Sequence, residues 1–219
     1  MVTVLSGDGA TMRYGSLLST PSAEQIMAMP AELSRRWTAR QVRDLIAAAP
    51  LATPRYELVD GELLVTPSPA LPHQVVVTRL LVALVAYLDR EGIGVAIPSP
   101  SDVELEPEFV TQPDISAVPK AEWRRVMKEG LPIRELMLAI EVLSPSSSRH
   151  DRVRKRPLYL RHVPDYWIVD LDARLVERWL PGDERPALLT ETLMWHPPGA
   201  SAPFVLELGP FFEAALSIH

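Results

Sequence analysis

The chain has 219 residues, no cysteine and a formal net charge of −6, with 47% hydrophobic and 23% charged residues. The length suits one domain with a full core, and the balance excludes a disordered chain, a collagen and a coiled-coil rod. Without cysteine there is no disulfide framework, thiolate zinc site or cysteine nucleophile, which fits a reducing cytoplasm; an acidic chain does not coat nucleic acid permanently, although brief contact through a local basic patch stays open.

The 22 prolines, about twice the usual share, are scattered as punctuation and predict many short elements with firm turns. Residues 1–35 mix Gly, Ser, Thr and Met without periodicity. They read as a weakly structured extension, leaving 36–219 as the domain. Met1–Gly15 has neither a basic start nor a long apolar run, so no secretory signal is expected. Thr38 can cap a short helix, Ala39–Ala49, which ends before Pro50. Tyr56–Val59 and Glu62–Thr66 flank Asp60-Gly61, the signature of a tight hairpin. His73–Glu91 is the main helix, with Val77, Leu80, Leu81, Leu84 and Leu88 on one stripe. The longest uninterrupted apolar run, Leu80–Leu88, is well short of the ~20 residues of a bilayer span, so no membrane partner is expected.

Short strands follow at Gly94–Ile97, Asp102–Leu105, Asp114–Val118, Met137–Leu143, Tyr166–Asp170 and Leu175–Trp179. Leu138–Leu143 is almost continuously apolar, as in a central strand covered on both faces. Between it and Tyr166 lies Ser148–Arg161, a basic helical segment. Val205–Ile218 supplies a last strand and a short helix. The pattern predicts an α/β fold with a central mixed sheet flanked by helices.

Three features carry chemistry. Glu141 interrupts an apolar strand, where an ionised carboxylate needs a cation or metal; a structural ion pair is the alternative reading. Asp114 follows Pro113 at the start of a strand, where a turn role would also explain it. Residues 149–161 hold Arg149, Arg152, Arg154, Lys155, Arg156 and Arg161 against a single acid, Asp151. That run is either a solvated face or a phosphate-facing patch. Asp151 and Lys155 are four apart and would share a helix face. Two carboxylates on adjacent strands can share one Mg2+, and a nearby ammonium can orient its water and offset charge on a phosphate. Pro157 falls two residues after Lys155 and predicts a kinked or shortened helix there.

The run Tyr56–Leu63, Pro72-His73 opening a helix, Pro113-Asp114, Ile140–Pro145, Asp151-xxx-Lys155-xxx-Tyr159 and Tyr166–Asp170 resembles the Uma2 family, also called DUF820, bacterial endonucleases of the PD-(D/E)XK nuclease fold. The likeness covers roughly residues 38–215. It implies a restriction-endonuclease-like sheet and an Mg2+-dependent endonuclease hydrolysing DNA phosphodiesters, with Mn2+ able to substitute. Asp114 and Glu141 match the two acidic half-motifs, and Glu57 matches an upstream acid completing the metal site. Position 143 is Leu where the usual lysine would stand, and Lys155 on the following helix matches the displaced lysine. Asp114, Glu141 and Lys155 are thus the expected catalytic set, and His73, Arg149, Arg152 and Arg154 the expected substrate contacts. DNA is the expected, transient partner, and a homodimer is reasonable. The alternatives are a catalytically silent module of the same fold that binds or assembles, and a phosphodiesterase acting on a small molecule.

Overall fold

A computed structural model of the protein describes residues 2–5, 11–14, 36–49, 54–66, 70–130, 132–144 and 151–216. Two stretches within residues 1–35 are strands, β1 (Val2–Leu5) and β2 (Thr11–Tyr14), and they pair antiparallel. α1 (Ala39–Ala48) starts at a reciprocal cap: the Gln41 N–H donates to the Thr38 hydroxyl, and the Thr38 N–H donates to the Gln41 side chain. β3 (Arg55–Val59) and β4 (Glu62–Thr66) form the expected hairpin. Its turn places Asp60 at φ 51° and Gly61 at φ 76°, the left-handed pair that an Asp-Gly turn supplies.

α2 (Leu71–Glu91) is the expected main helix. It ends at Gly92, whose φ of 64° lets its N–H reach the Leu88 carbonyl. By length and composition α2 is apolar enough to cross a membrane, yet it packs against a sheet as a core helix. Leu80, Leu84 and Leu88 are fully buried there, each contributing ~1.5–3 kcal/mol of transfer free energy.

The remaining elements, in order, are β5 (Gly94–Pro98), β6 (Val103–Glu106), β7 (Phe109–Thr111), β8 (Ile115–Pro119), α3 (Lys120–Glu129) and β9 (Leu138–Val142). A π-helical turn (Asp151–Lys155) runs into α4 (Arg156–His162). Then come β10 (Tyr166–Asp170), β11 (Leu175–Trp179), β12 (Ala187–Leu189), β13 (Thr192–Trp195), β14 (Phe204–Glu207) and α5 (Leu208–Leu216). β7, α3, β12 and β13 go beyond the elements read from the sequence. α3 buries only Glu122 and Val126, so it has almost no apolar stripe to reveal it.

One six-stranded sheet has the order β2-β1-β4-β3-β7-β6, and a second has β12-β11-β10-β9-β8-β5. In the second sheet β9 and β10 are parallel and the other pairs antiparallel. The fold is therefore the mixed α/β arrangement that the sequence predicts. Ile140, Val142 and Trp167 face α2 and α5, while Ala139, Tyr166 and Ile168 face Phe109, Ile133 and Tyr159 on the other side. Both faces of β9 are covered, which explains its nearly unbroken apolar sequence. Asp114 lies just before β8 instead of opening it. Pro113 has no N–H for the ladder, and the Asp114 carboxylate accepts the Val142 N–H at 2.8 Å.

Candidate active site

The site lies where the two sheets meet. The β3 hairpin brings Arg55 and Glu57, two apart and on one face. Residues 111–114 cross from β7 to β8 and carry Thr111, Gln112 and Asp114. β9 supplies Glu141, the π turn supplies Asp151 and Lys155, and α2 supplies His73 from its first turn. All of these side chains are buried.

Asp114 is held from three sides. One carboxylate oxygen lies 2.8 Å from Arg55 Nη1, and the other lies 3.0 Å from His73 Nε2 and accepts the Val142 N–H. Burial alone would raise its carboxyl, but Arg55 and His73 outweigh burial and hold it below the usual carboxylate range. Arg55 Nη1 also donates to Ser99 Oγ at 3.2 Å and to the Gln112 carbonyl at 3.3 Å.

Lys155 Nζ stands 2.8 Å from Glu57 Oε2, 3.1 Å from Glu141 Oε1 and 3.3 Å from Asp151 Oδ1. Burial would lower this amine, but the three carboxylates reverse that and keep it a cation far above its ordinary range. A permanently charged ammonium is not a proton acceptor. It can orient a water and offset negative charge. Burial likewise opposes the charge on Glu57, yet Lys155 and Arg55 hold its carboxyl low. Glu141 goes the other way: burial and the charges of Asp151, Asp114 and Glu57 push it well above the carboxylate range, against Lys155.

A line of oxygens joins Glu57 to Glu141. Thr111 Oγ1 lies 2.6 Å from Glu57 Oε1, Tyr159 OH lies 2.8 Å from Thr111 Oγ1, and Glu141 Oε1 lies 3.1 Å from Tyr159 OH. Two hydroxyl hydrogens serve these three contacts. Glu141 Oε1 accepts from the Tyr159 hydroxyl and from Lys155 Nζ. The Tyr159 ring is itself fixed, stacked 4.6 Å from the Tyr166 ring.

Pro157 does not displace Lys155. It occupies the second position of α4, where a missing N–H is tolerated. The wider π turn before it carries Asp151 and Lys155 together into the buried cluster. The basic run, in contrast, is matched inside the molecule. Arg152 pairs with Asp170 at 2.7 Å and Glu177 at 2.6 Å, and Arg154 pairs with Glu62. Arg156 lies 4.3 Å over the Trp179 ring, and Arg161 pairs with Glu106. Arg149 lies outside the described residues.

Arg55 was not singled out in the sequence, although its place two residues before Glu57 on an alternating strand puts both on one face. Gln112 was also missed: its N–H donates to Glu57 Oε1 at 2.9 Å, and its side chain donates to Asp102. Tyr159 stood in the sequence pattern without an assigned part.

Two clefts meet at His73. One, of about 350 Å3, is lined by Arg55, Asp114 and His73 at one end and by Val77, Leu81, Pro98 and Pro100 beyond. The other, of about 610 Å3, lies between the start of α2, Leu143, Ser144 and the turn after β10.

Among the described residues, no three His, Asp or Glu side chains converge on one metal position. Mg2+ needs only one or two carboxylates, completing its shell with water and substrate phosphate. Asp114 and Glu141 fit that requirement: Ile115 pairs with Ile140 across the antiparallel ladder, so Asp114 comes opposite Glu141. The donors are all hard oxygens. Among the described residues, the buried carboxylates Glu57, Asp114 and Glu141 stand beside Arg55 and Lys155, and hard oxygen donors of this kind suit a divalent cation.

A family model described as "Uma2: Putative restriction endonuclease" matches residues 44–205. A crystal structure of a protein from Anabaena variabilis, described as a putative nuclease belonging to DUF820, superposes with a TM-score of 0.65. It is 22% identical, and the match covers 79% of this chain and 98% of that one. No curated protein matches the chain.

Proposed function

The chain belongs to the Uma2 family, and we propose that it is a divalent-metal-dependent endonuclease that cuts DNA at the Asp114–Glu141 site. The observation that carries this reading is the buried charge cluster itself. Four carboxylates around Lys155 and Arg55 are a poor way to stabilise a core, since apolar side chains of equal volume do as well or better. Buried groups with strongly displaced proton affinities beside a cleft mark functional sites.

Asp114 and Glu141 would hold Mg2+, or Mn2+ in its place, with Glu57 as the third carboxylate of the cluster. The ion, when bound, supplies an activated water and charge stabilisation at phosphorus. The chain's residues do the rest. Arg55 holds the Asp114 carboxylate ionised and aimed. Tyr159 and Thr111 fix Glu141 relative to Glu57. Lys155 presents a compact positive charge beside Glu141, where it orients the attacking water and offsets the growing charge of the phosphorane-like transition state. His73, on the wall shared by both clefts, contacts the substrate strand.

The internal pairing of Arg152 and Arg154 supports the second reading, a silent module that binds or assembles, because it leaves the expected phosphate patch matched by the protein's own acids. Incubation of plasmid DNA with full-length protein and Mn2+, for wild type and Glu141→Ala, separates the two. Cleavage by wild type that Glu141→Ala loses supports the nuclease. Binding without cleavage by either rejects it.

A further inference from the structure

We propose that the cleft running from Asp114 along α2 takes one unpaired nucleotide of the DNA strand, so that the substrate is single-stranded, or unpaired at the cut; this rests on the nuclease reading above. The cleft is chemically divided. Its inner end carries Arg55, whose three hydrogen bonds all run through Nη1. Nη2 has no partner among the described residues and is left for an anion. Nη1 already neutralises Asp114, so the inner end is not repellent to phosphate.

Beyond Arg55 the walls turn apolar. Val77, Thr78 and Leu81 of α2 line it together with Pro98, Ser99 and Pro100 at the end of β5. Gln74, exposed on α2 and with its side-chain amide unpartnered among the described residues, can both donate and accept. A charged end, a largely apolar lining and one free amide match the phosphate, the flat faces and the polar edge of a nucleotide. The volume, about 350 Å3, lies at the small end of the ~300–1,000 Å3 range for ligand sites. A base in a duplex has both faces covered by its neighbours and cannot enter such a cleft. An unpaired base has both faces free, and contact with them is tolerant of sequence.

The test is binding by full-length protein in EDTA, where no cleavage intervenes. The probes are a labelled single-stranded DNA, its blunt duplex and the four deoxynucleoside monophosphates. Wild type is expected to hold the single strand about tenfold more tightly than the duplex, the scale of one base contact. Leu81→Trp, which fills the cleft from a half-buried position, should erase that preference. Gln74→Ala, at the surface, should change the ranking of the four mononucleotides. Equal affinity for single strand and duplex overturns the proposal, as does a folded Leu81→Trp protein that keeps the preference. If Leu81→Trp does not fold, an unchanged ranking in Gln74→Ala overturns it. Cleavage in Mn2+ that is lost in Glu141→Ala, with no strand preference, rejects the nucleotide cleft alone. A strand preference without any cleavage rejects the nuclease reading and leaves the cleft.

Discussion

Lys155 Nζ reaches within 3.1 Å of Glu141 Oε1 although Pro157 follows two residues later, because the chain opens into a π turn before the proline, which then falls at the second residue of the α-helix that follows. The i,i+4 pair Asp151–Lys155 therefore turns inward as a unit instead of lying on a solvated face. Lys155 is shared by three carboxylates, and this determines how its variants will behave.

Lys155→Ala strands Glu57, Glu141 and Asp151 as buried charges without their shared partner. Removing one side of a buried pair costs ~3–5 kcal/mol, so the melting temperature should fall sharply. Cleavage must then be compared at a temperature where both proteins are folded. There the rate should drop by ~10²–10³, as for a preorganised electrostatic contact. Lys155→Arg should recover part of the stability but not the rate, since a planar fork does not replace a compact ammonium. A folded Lys155→Ala protein that cuts as fast as wild type would remove Lys155 from the mechanism.

Glu141 and its neighbours give opposite pH dependences. The Glu141 carboxyl is raised in the folded protein, so its contribution is fully present below the ordinary carboxyl value of ~4.3 and is lost as pH rises through its raised value. Asp114 and Glu57 are lowered, so their contribution is present above the ordinary range and fades in acid. Melting curves in EDTA should show Glu141→Gln, a permanently neutral mimic, losing the decline toward high pH while keeping the acid limb. A parallel shift of both limbs would contradict this assignment.

Metal binding favours the ionised form of Glu141, whose carboxyl is raised by burial. Mn2+ affinity should therefore rise with pH until Glu141 ionises by itself, and Glu141→Ala should weaken binding strongly. Titration calorimetry in buffers of different ionisation enthalpy reads the proton released. Wild type and Glu141→Ala binding Mn2+ alike would place the ion elsewhere.

Tyr159→Phe removes the hydroxyl between Thr111 and Glu141. It leaves Thr111 Oγ1 and Glu141 Oε1 each short of one buried partner, at a cost of ~1–3 kcal/mol. The ring stack with Tyr166 is retained, so the protein should fold, with a melting temperature below that of wild type. An unaltered melting temperature would show that the hydroxyl bridge contributes nothing.

Arg152 and Arg154 give the opposite expectation from a free basic patch. A phosphate contact contributes a slope of about −0.9 in log affinity against log salt. Because both arginines already face carboxylates, the double alanine variant should lower stability while leaving that slope nearly unchanged. A flattening of the slope by two contacts would restore them as phosphate ligands.

The amino-acid sequence determined what depends on neighbours along the chain. Asp60-Gly61 sets a tight turn through local dihedral preference, the Leu80–Leu84–Leu88 spacing sets a helix with a buried stripe, and the apolar run around Glu141 sets a strand covered on both faces. Asp114 and Glu141 stand out for the same reason, since a charge in an apolar or proline-marked context is visible in one dimension, whereas Lys155 is singled out of its basic run only by the family resemblance. What the tertiary structure decided is how those charges are shared. Glu57 and Glu141 lie 84 positions apart in the chain yet hold the same ammonium. Arg55 meets Asp114 across two sheets, and the arginines after Asp151 meet acids from β4, β10 and β11. Electrostatic interaction depends on distance and on the exclusion of water, and neither exists until the chain has folded.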